Sequence, residues 1–235
     1  MPLRARIRGR HVHSFDLPHD LTWKQVQEAS KGGEIVMPCC GAQGIAKQFT
    51  SGTRFFAHKA RSFTCDWKPE SEEHLRYKAM AFDAAMAAGA IAETEVRSNP
   101  NGPAEWIADV LVTHENIRRV IEIQLAPQSM AETLARTQRY RRAGIDVLWL
   151  FRRLPEGMKI GKDLPVIVLP EGDEEYAERV VRIAAAEFAT GRRAPAPSPA
   201  PGRPWSKCAR PHPRMAATTS CAAQAAGGWS AAPGR

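Results

Sequence analysis

The stretch IDVLWLF, residues 145–151, is apolar at every position from Val147 to Phe151. A strand alternates its side chains between two faces, so both faces of this one need cover. That is the pattern of a buried central strand in a sheet with helices on both sides. The segment before it, SMAETLARTQRYRRAG, reads as a helix with Ser129 as cap and Gly144 as stop. Upstream, AIAETEVR, EWIADVLVT and RRVIEIQL alternate as strands; NPNGP is a turn and HEN suits a hairpin. Before them, PESEEHLRYKAMAFDAAMAAG is a long helical run, with Pro69 in its first turn, acids at its start and Gly89 at its end. VIVL and DEEYAERVVRIAAAEFATG add a short strand and a closing helix. Helix, three strands, helix, strand predicts an α/β sandwich around a mixed sheet over residues 69–190.

The remaining sequence divides in two. Residues 1–68 read as a small, strand-rich, irregular unit, with a short helix at LTWKQVQEA and strands at EIVMPCCG and TRFFAHKA. Residues 191–235 are rich in Ala, Pro, Gly and Arg without hydrophobic period, so a disordered tail is expected there. Charge follows the same division. Residues 1–61 carry a net +6, residues 62–190 a net −5 and residues 191–235 a net +7. Basic flanks suit a polyanion such as DNA, and equally a solvated extension. No run approaches the roughly 20 apolar residues of a membrane span, and the basic N-terminus has no apolar core of a secretory signal. The expectation is a soluble, cytoplasmic chain that does not engage a membrane. Five cysteines, an odd number with one adjacent pair, argue against a disulfide framework.

Two carboxylates stand out on strands. Asp109 interrupts the apolar WIADVLV, and Glu122 sits in VIEIQ with Gln124 on the face opposite Ile121 and Ile123. A hairpin can place both acids side by side. Paired buried carboxylates repel, and a divalent cation with oxygen preference, Mg²⁺ or Mn²⁺, removes that cost. Glu70, His74 and Lys78 are spaced as one helical stripe, either a surface ion-pair ladder or an extension of that site. Glu73 competes for the same role from another face. Arg136, Arg139 and Tyr140 are either solvated helix positions or phosphate-gripping groups.

The ordered set ESEEHLRYK, ADV, IEIQ and TLARTQRY…AGIDVLWLF, after PCCG…FFAHK, resembles the competence protein CoiA family, with a PD-(D/E)XK restriction-endonuclease-like core. The resemblance spans roughly residues 4–152. It implies a Mg²⁺-dependent nuclease acting on incoming or single-stranded DNA in natural transformation, alongside recombination proteins. Asp109 and Glu122 would hold the metal, with the Ile123 carbonyl a further ligand. Gln124 stands where the general nuclease motif has lysine; Glu70 would position water and Lys78 would replace the lysine. Arg136, Arg139 and Tyr140 would meet DNA. The family's N-terminal unit resembles a zinc ribbon with a Cys-Pro-x-Cys-Gly turn. Here Met37 takes the first Cys position, leaving Cys39, Cys40, His58 and Cys65 as possible zinc ligands. Adjacent cysteines rarely both reach one metal, so a relic turn is the competing expectation. His11, His13 and His19 read as surface residues. A non-catalytic DNA-binding accessory and a protein-binding adaptor remain the alternatives to catalysis.

Overall fold

The computed structural model describes residues 2–60, 65, 68–99, 104–158 and 164–191, all within one compact unit. The tail expected beyond Gly191, with Cys208 and Cys221, lies outside the described residues, as does most of NPNGP.

The N-terminal elements are β1 (Arg4–Ile7), β2 (Arg10–His13), α1 (Trp23–Lys31), β3 (Ile35–Val36), β4 (Gly44–Gln48) and β5 (Arg54–His58). They form a three-stranded sheet, β2-β1-β3, and a separate β4-β5 hairpin. Thr22 and Gln25 close a reciprocal capping box that starts α1. Val26 and Ala29 on that helix pack with Ala5, Ile7, Ile35, Met37 and Phe56 into a small core. The sequence assigns no strand to RARI, RHVH or GIAKQ, because each is short and dense in polar residues; sheet pairing decides them.

The larger layer follows as α2 (Glu72–Ala87), β6 (Ile91–Arg97), β7 (Ile107–His114), β8 (Ile117–Gln124), α3 (Met130–Arg142), β9 (Asp146–Phe151), β10 (Val166–Val168) and α4 (Glu174–Ala189). The sheet order is β10-β9-β8-β7-β6, with β6–β7 and β7–β8 antiparallel and β8–β9 and β9–β10 parallel. This is a mixed five-stranded sheet flanked by helices, in the order that the sequence predicts. Strand β8 is the central one, and the apolar β9 lies beside it.

Alternation sorts the two faces. Ile121, Ile123, Leu148 and Leu150 pack with α2 and α4, while Val120, Val147, Trp149 and Phe151 pack with Tyr140 of α3. The β7–β8 turn is Glu115–Asn116, both with positive φ (50° and 64°), the geometry that a two-residue hairpin with right-handed twist requires. It sets the register Val110 opposite Ile121, which carries Asp109 to the level of Glu122.

One boundary differs from the sequence reading. Helix α2 starts at Glu72, because the Ser71 hydroxyl accepts the His74 N–H and so supplies a cap that Pro69 cannot. Glu70 therefore precedes the helix and does not ride its stripe.

Candidate metal centres

Glu70 still reaches the stripe from outside the helix. Donor atoms of Glu70, His74 and Asp109 all lie within 4.8 Å of one another. His74 Nε2 is 3.3 Å from Asp109 Oδ2, which also accepts the Ile123 backbone N–H at 2.9 Å. Lys78 Nζ donates to both Glu70 oxygens (2.9 and 2.8 Å) and to Glu95 Oε1 (2.8 Å) with no exposure of its own. Glu95 was not singled out in the sequence. It also accepts the Leu3 N–H at 2.8 Å and the Arg4 N–H at 3.2 Å. A cavity of about 280 Å³ opens beside these acids, lined by Arg4, Cys39, Glu70, Glu95, Arg97 and Asp109 among others.

The charges in this cluster are compensated from within. Burial opposes ionisation of Asp109, but His74, Lys78 and Arg136 outweigh it and hold its carboxyl below the usual range. Burial disfavours the His74 imidazolium; the charge and bond of Asp109, with Glu70 adding, turn the net shift upward. Burial raises Glu70, with the Glu95 and Asp109 charges adding and Lys78 opposing. Burial likewise opposes the Lys78 ammonium, which Glu95 and Glu70 more than restore.

Glu122 lies across the hairpin from Asp109 but is held differently. It is fully buried, and its two oxygens meet Arg136 and the Tyr140 hydroxyl. Burial pushes its carboxyl up to about 7, with Asp109 adding and Arg136 and Tyr140 opposing. Tyr140, 1% exposed, also donates to the Ile107 carbonyl at 2.9 Å. Arg136 lies 4.9 Å over the Trp149 ring and donates to Gln128 Oε1 (3.1 Å) and Gln124 Oε1 (3.4 Å). Both residues brace Glu122 from the α3 side, and Tyr140 has no face open to a base. The Gln124 amide donates to Ala126 O at 2.8 Å. Arg139 is half-buried and is not drawn into this network. Glu73 turns to Arg152 and Tyr77, a separate group.

The four thiol and imidazole candidates converge. His58 Nε2 lies 3.2, 3.3 and 3.5 Å from the sulfurs of Cys39, Cys40 and Cys65, and the sulfur pairs Cys39–Cys40 and Cys39–Cys65 are 3.8 and 3.4 Å apart. A tetrahedron with zinc–ligand bonds of about 2.0–2.3 Å has edges near 3.3–3.8 Å. The donor set and its spacing fit that ion. The adjacency of Cys39 and Cys40 is no obstacle, because the chain reverses there. Gly41 (φ +72°) donates to Met37 O at 2.8 Å, and both side chains turn to the same side. Met37, at the position of the family's first cysteine, is buried in the small core. It packs so close to Gly44 that a Cβ there would lie 2.6 Å from its sulfur. Burial, then the neighbouring Cys65 and Cys40 thiols, push the Cys39 thiol up.

His13 is not a surface residue. Its ring lies 4.8 Å from that of Phe82 on α2, and Thr94 N–H points to its Nε2 at 3.4 Å. Burial lowers it to about 4, with Arg4 adding.

A mixed sheet between helices with a half-buried acid cluster beside it makes this an α/β domain with a candidate metal site. Residues 70–158 match the family model of the competence protein CoiA nuclease-like domain. Among solved structures, the crystal structure of a protein of unknown function, AF1548, is similar at 14% identity and a TM-score of 0.27, over 45% of this chain and 66% of that one. The chain thus spans just under two thirds of that protein's length. No curated protein matches the chain. Among the described residues, no helix is long and apolar enough to cross a membrane.

Proposed function

We propose that the chain is a metal-dependent DNA nuclease of the CoiA kind, acting on DNA taken up in transformation and passed to recombination. The observation that carries this reading is the convergence of Glu70, His74 and Asp109 beside an open cavity, within the segment that matches the nuclease-like domain. A divalent cation bound there would lower the pKa of a water and offset charge on a phosphoryl group. Glu70 and Asp109 supply oxygens suited to Mg²⁺, and the His74 nitrogen tilts the set toward Mn²⁺. Glu122, opposite Asp109, completes the oxygen set once Arg136 yields an oxygen. The Ile123 N–H fixes Asp109, and Lys78 fixes Glu70, which would be the group to order a water there. Cys39, Cys40, His58 and Cys65 hold a structural zinc in this reading.

A second reading, DNA binding without cleavage, draws on two facts. Gln124 brings no positive charge, and the Lys78 ammonium is enclosed by Glu70 and Glu95. The test is cleavage of single- and double-stranded DNA with Mn²⁺ or Mg²⁺, wild type against Asp109→Asn. A nuclease loses at least about 100-fold of its rate in the variant while DNA still binds. Cleavage that persists in Asp109→Asn sinks the site assignment. Salt-sensitive binding without cleavage in either protein selects the binder. Neither activity selects a protein-binding adaptor.

A further inference from the structure

Glu95 is the carboxylate that the reading above leaves without a role, and its surroundings are unusual. It sits inside β6 with φ +56°, a left-handed conformation that a non-glycine residue holds only when its surroundings enforce it. What enforces it is visible. One oxygen accepts from Lys78 Nζ and from the Leu3 N–H, and the other from the Arg4 N–H. Leu3 and Arg4 lead and open β1, and β1 pairs with β3, which runs into the Met37–Gly41 turn carrying Cys39 and Cys40. Lys78 divides its charge between Glu95 and Glu70. A single carboxylate thus ties the strand beside the thiol cluster to the lysine that restrains an acid of the nuclease cluster.

We propose that Glu95 is a positioning residue for the acid cluster. By taking a share of Lys78 it leaves Glu70 able to bind a cation, and it does so only while β1 is docked. This rests on the metal-site reading and concerns the control of that site. With Glu95 neutral, the whole charge of Lys78 falls on Glu70, whose oxygens are then less available, and the cavity gains one positive charge. With β1 undocked, Glu95 loses both amide donors and its left-handed backbone has nothing to hold it.

The experiment compares full-length wild type, Glu95→Gln and Glu93→Gln. Glu93 lies two residues away on the same strand, bonds Arg4 and is half-exposed, so it controls for a simple change of charge. Mn²⁺ affinity is measured by calorimetry, and amide exchange at Leu3 and Arg4 by NMR. Glu95→Gln is expected to weaken Mn²⁺ about tenfold, a loss of one nearby charge at short range, with Glu93→Gln within about twofold of wild type. The Arg4 amide, which would then face a donor instead of an oxygen, should exchange at least about tenfold faster. The double variant Glu95→Gln, Lys78→Gln should recover Mn²⁺ affinity, which a merely structural tie would not do. Equal Mn²⁺ affinity in wild type and Glu95→Gln overturns the proposal. If wild type takes no Mn²⁺, the metal-site reading fails separately. Exchange then decides the tie: an unchanged Arg4 amide overturns that as well.

Discussion

The thiol cluster and the acid cluster are both groups of potential metal ligands, yet they are built on opposite principles. Around Cys39, Cys40, His58 and Cys65 three sulfurs and an imidazole nitrogen face one another. Around Glu70, Asp109 and Glu122 the protein supplies its own partners: the His74 imidazole, the Lys78 ammonium and the Arg136 guanidinium. If the thiols hold zinc as proposed, the first cluster draws its stability from that ion, whereas carboxylates already paired within the protein need none to stay folded. In that reading the first is a structural site and the second a working one.

The largest effect should come from the thiol side. Stripping zinc with a chelator, or Cys39→Ser, is expected to remove stability on the order of 10 kcal/mol from residues 35–58 and leave the large sheet folded. Circular dichroism with metal analysis checks it, and a chelator-insensitive N-terminal unit would break the comparison. Next, Arg136→Met leaves Glu122 buried without its cation, at a cost of about 3–5 kcal/mol in denaturant unfolding. That loss has a pH sign. Glu122 titrates near 7 when folded, above its ordinary value, so its protonated form is the one that folding favours. Its contribution is present below pH 4.5 and lost as pH rises through 7, so Arg136→Met should be most damaging at pH 8 and milder at pH 5.

A smaller effect comes from a third place, where burial is the main influence on ionisation and the Arg4 charge adds to it. His13 folds with a pKa of about 4 against 6.5 unfolded. Its contribution is complete above pH 6.5 and lost as pH falls toward 4, about 3 kcal/mol in all. His13→Phe should flatten that limb of the stability curve, and an unchanged limb would place the pH sensitivity in the metal clusters instead.

Much of this was legible in the chain. The periodic segments gave the helices and strands of the large layer, since each carries a long pattern with caps at its ends, Ser129 and Gly144 among them. Asp109 and Glu122 were visible because a charge on an apolar strand is conspicuous. What stayed hidden depended on tertiary contact. Glu95 looks like any solvated acid in AIAETEVR, and nothing local shows that the amides of residues 3 and 4 fold back onto it. The bracing of Glu122 by Arg136 and Tyr140 is equally non-local. The convergence of the adjacent cysteines is hidden for a different reason. Spacing rules assume a regular backbone, and the turn at Gly41 is not regular.

The two central acids also differ in when they can arrive. Asp109 meets the Ile123 N–H across a hairpin closed by two residues, a pairing of the kind that forms in about 1–10 µs. Glu122 meets Arg136 and Tyr140 only when α3 packs onto the sheet, a helix docking where Asp109 needs a hairpin closure. Deletion of the Tyr140 hydroxyl should therefore speed unfolding and leave refolding nearly untouched, whereas Val110→Ala in the hairpin should slow refolding. A refolding rate that drops equally in both would contradict that order. One half of this site is held by a hairpin, and the other by the helix that crosses over to β9.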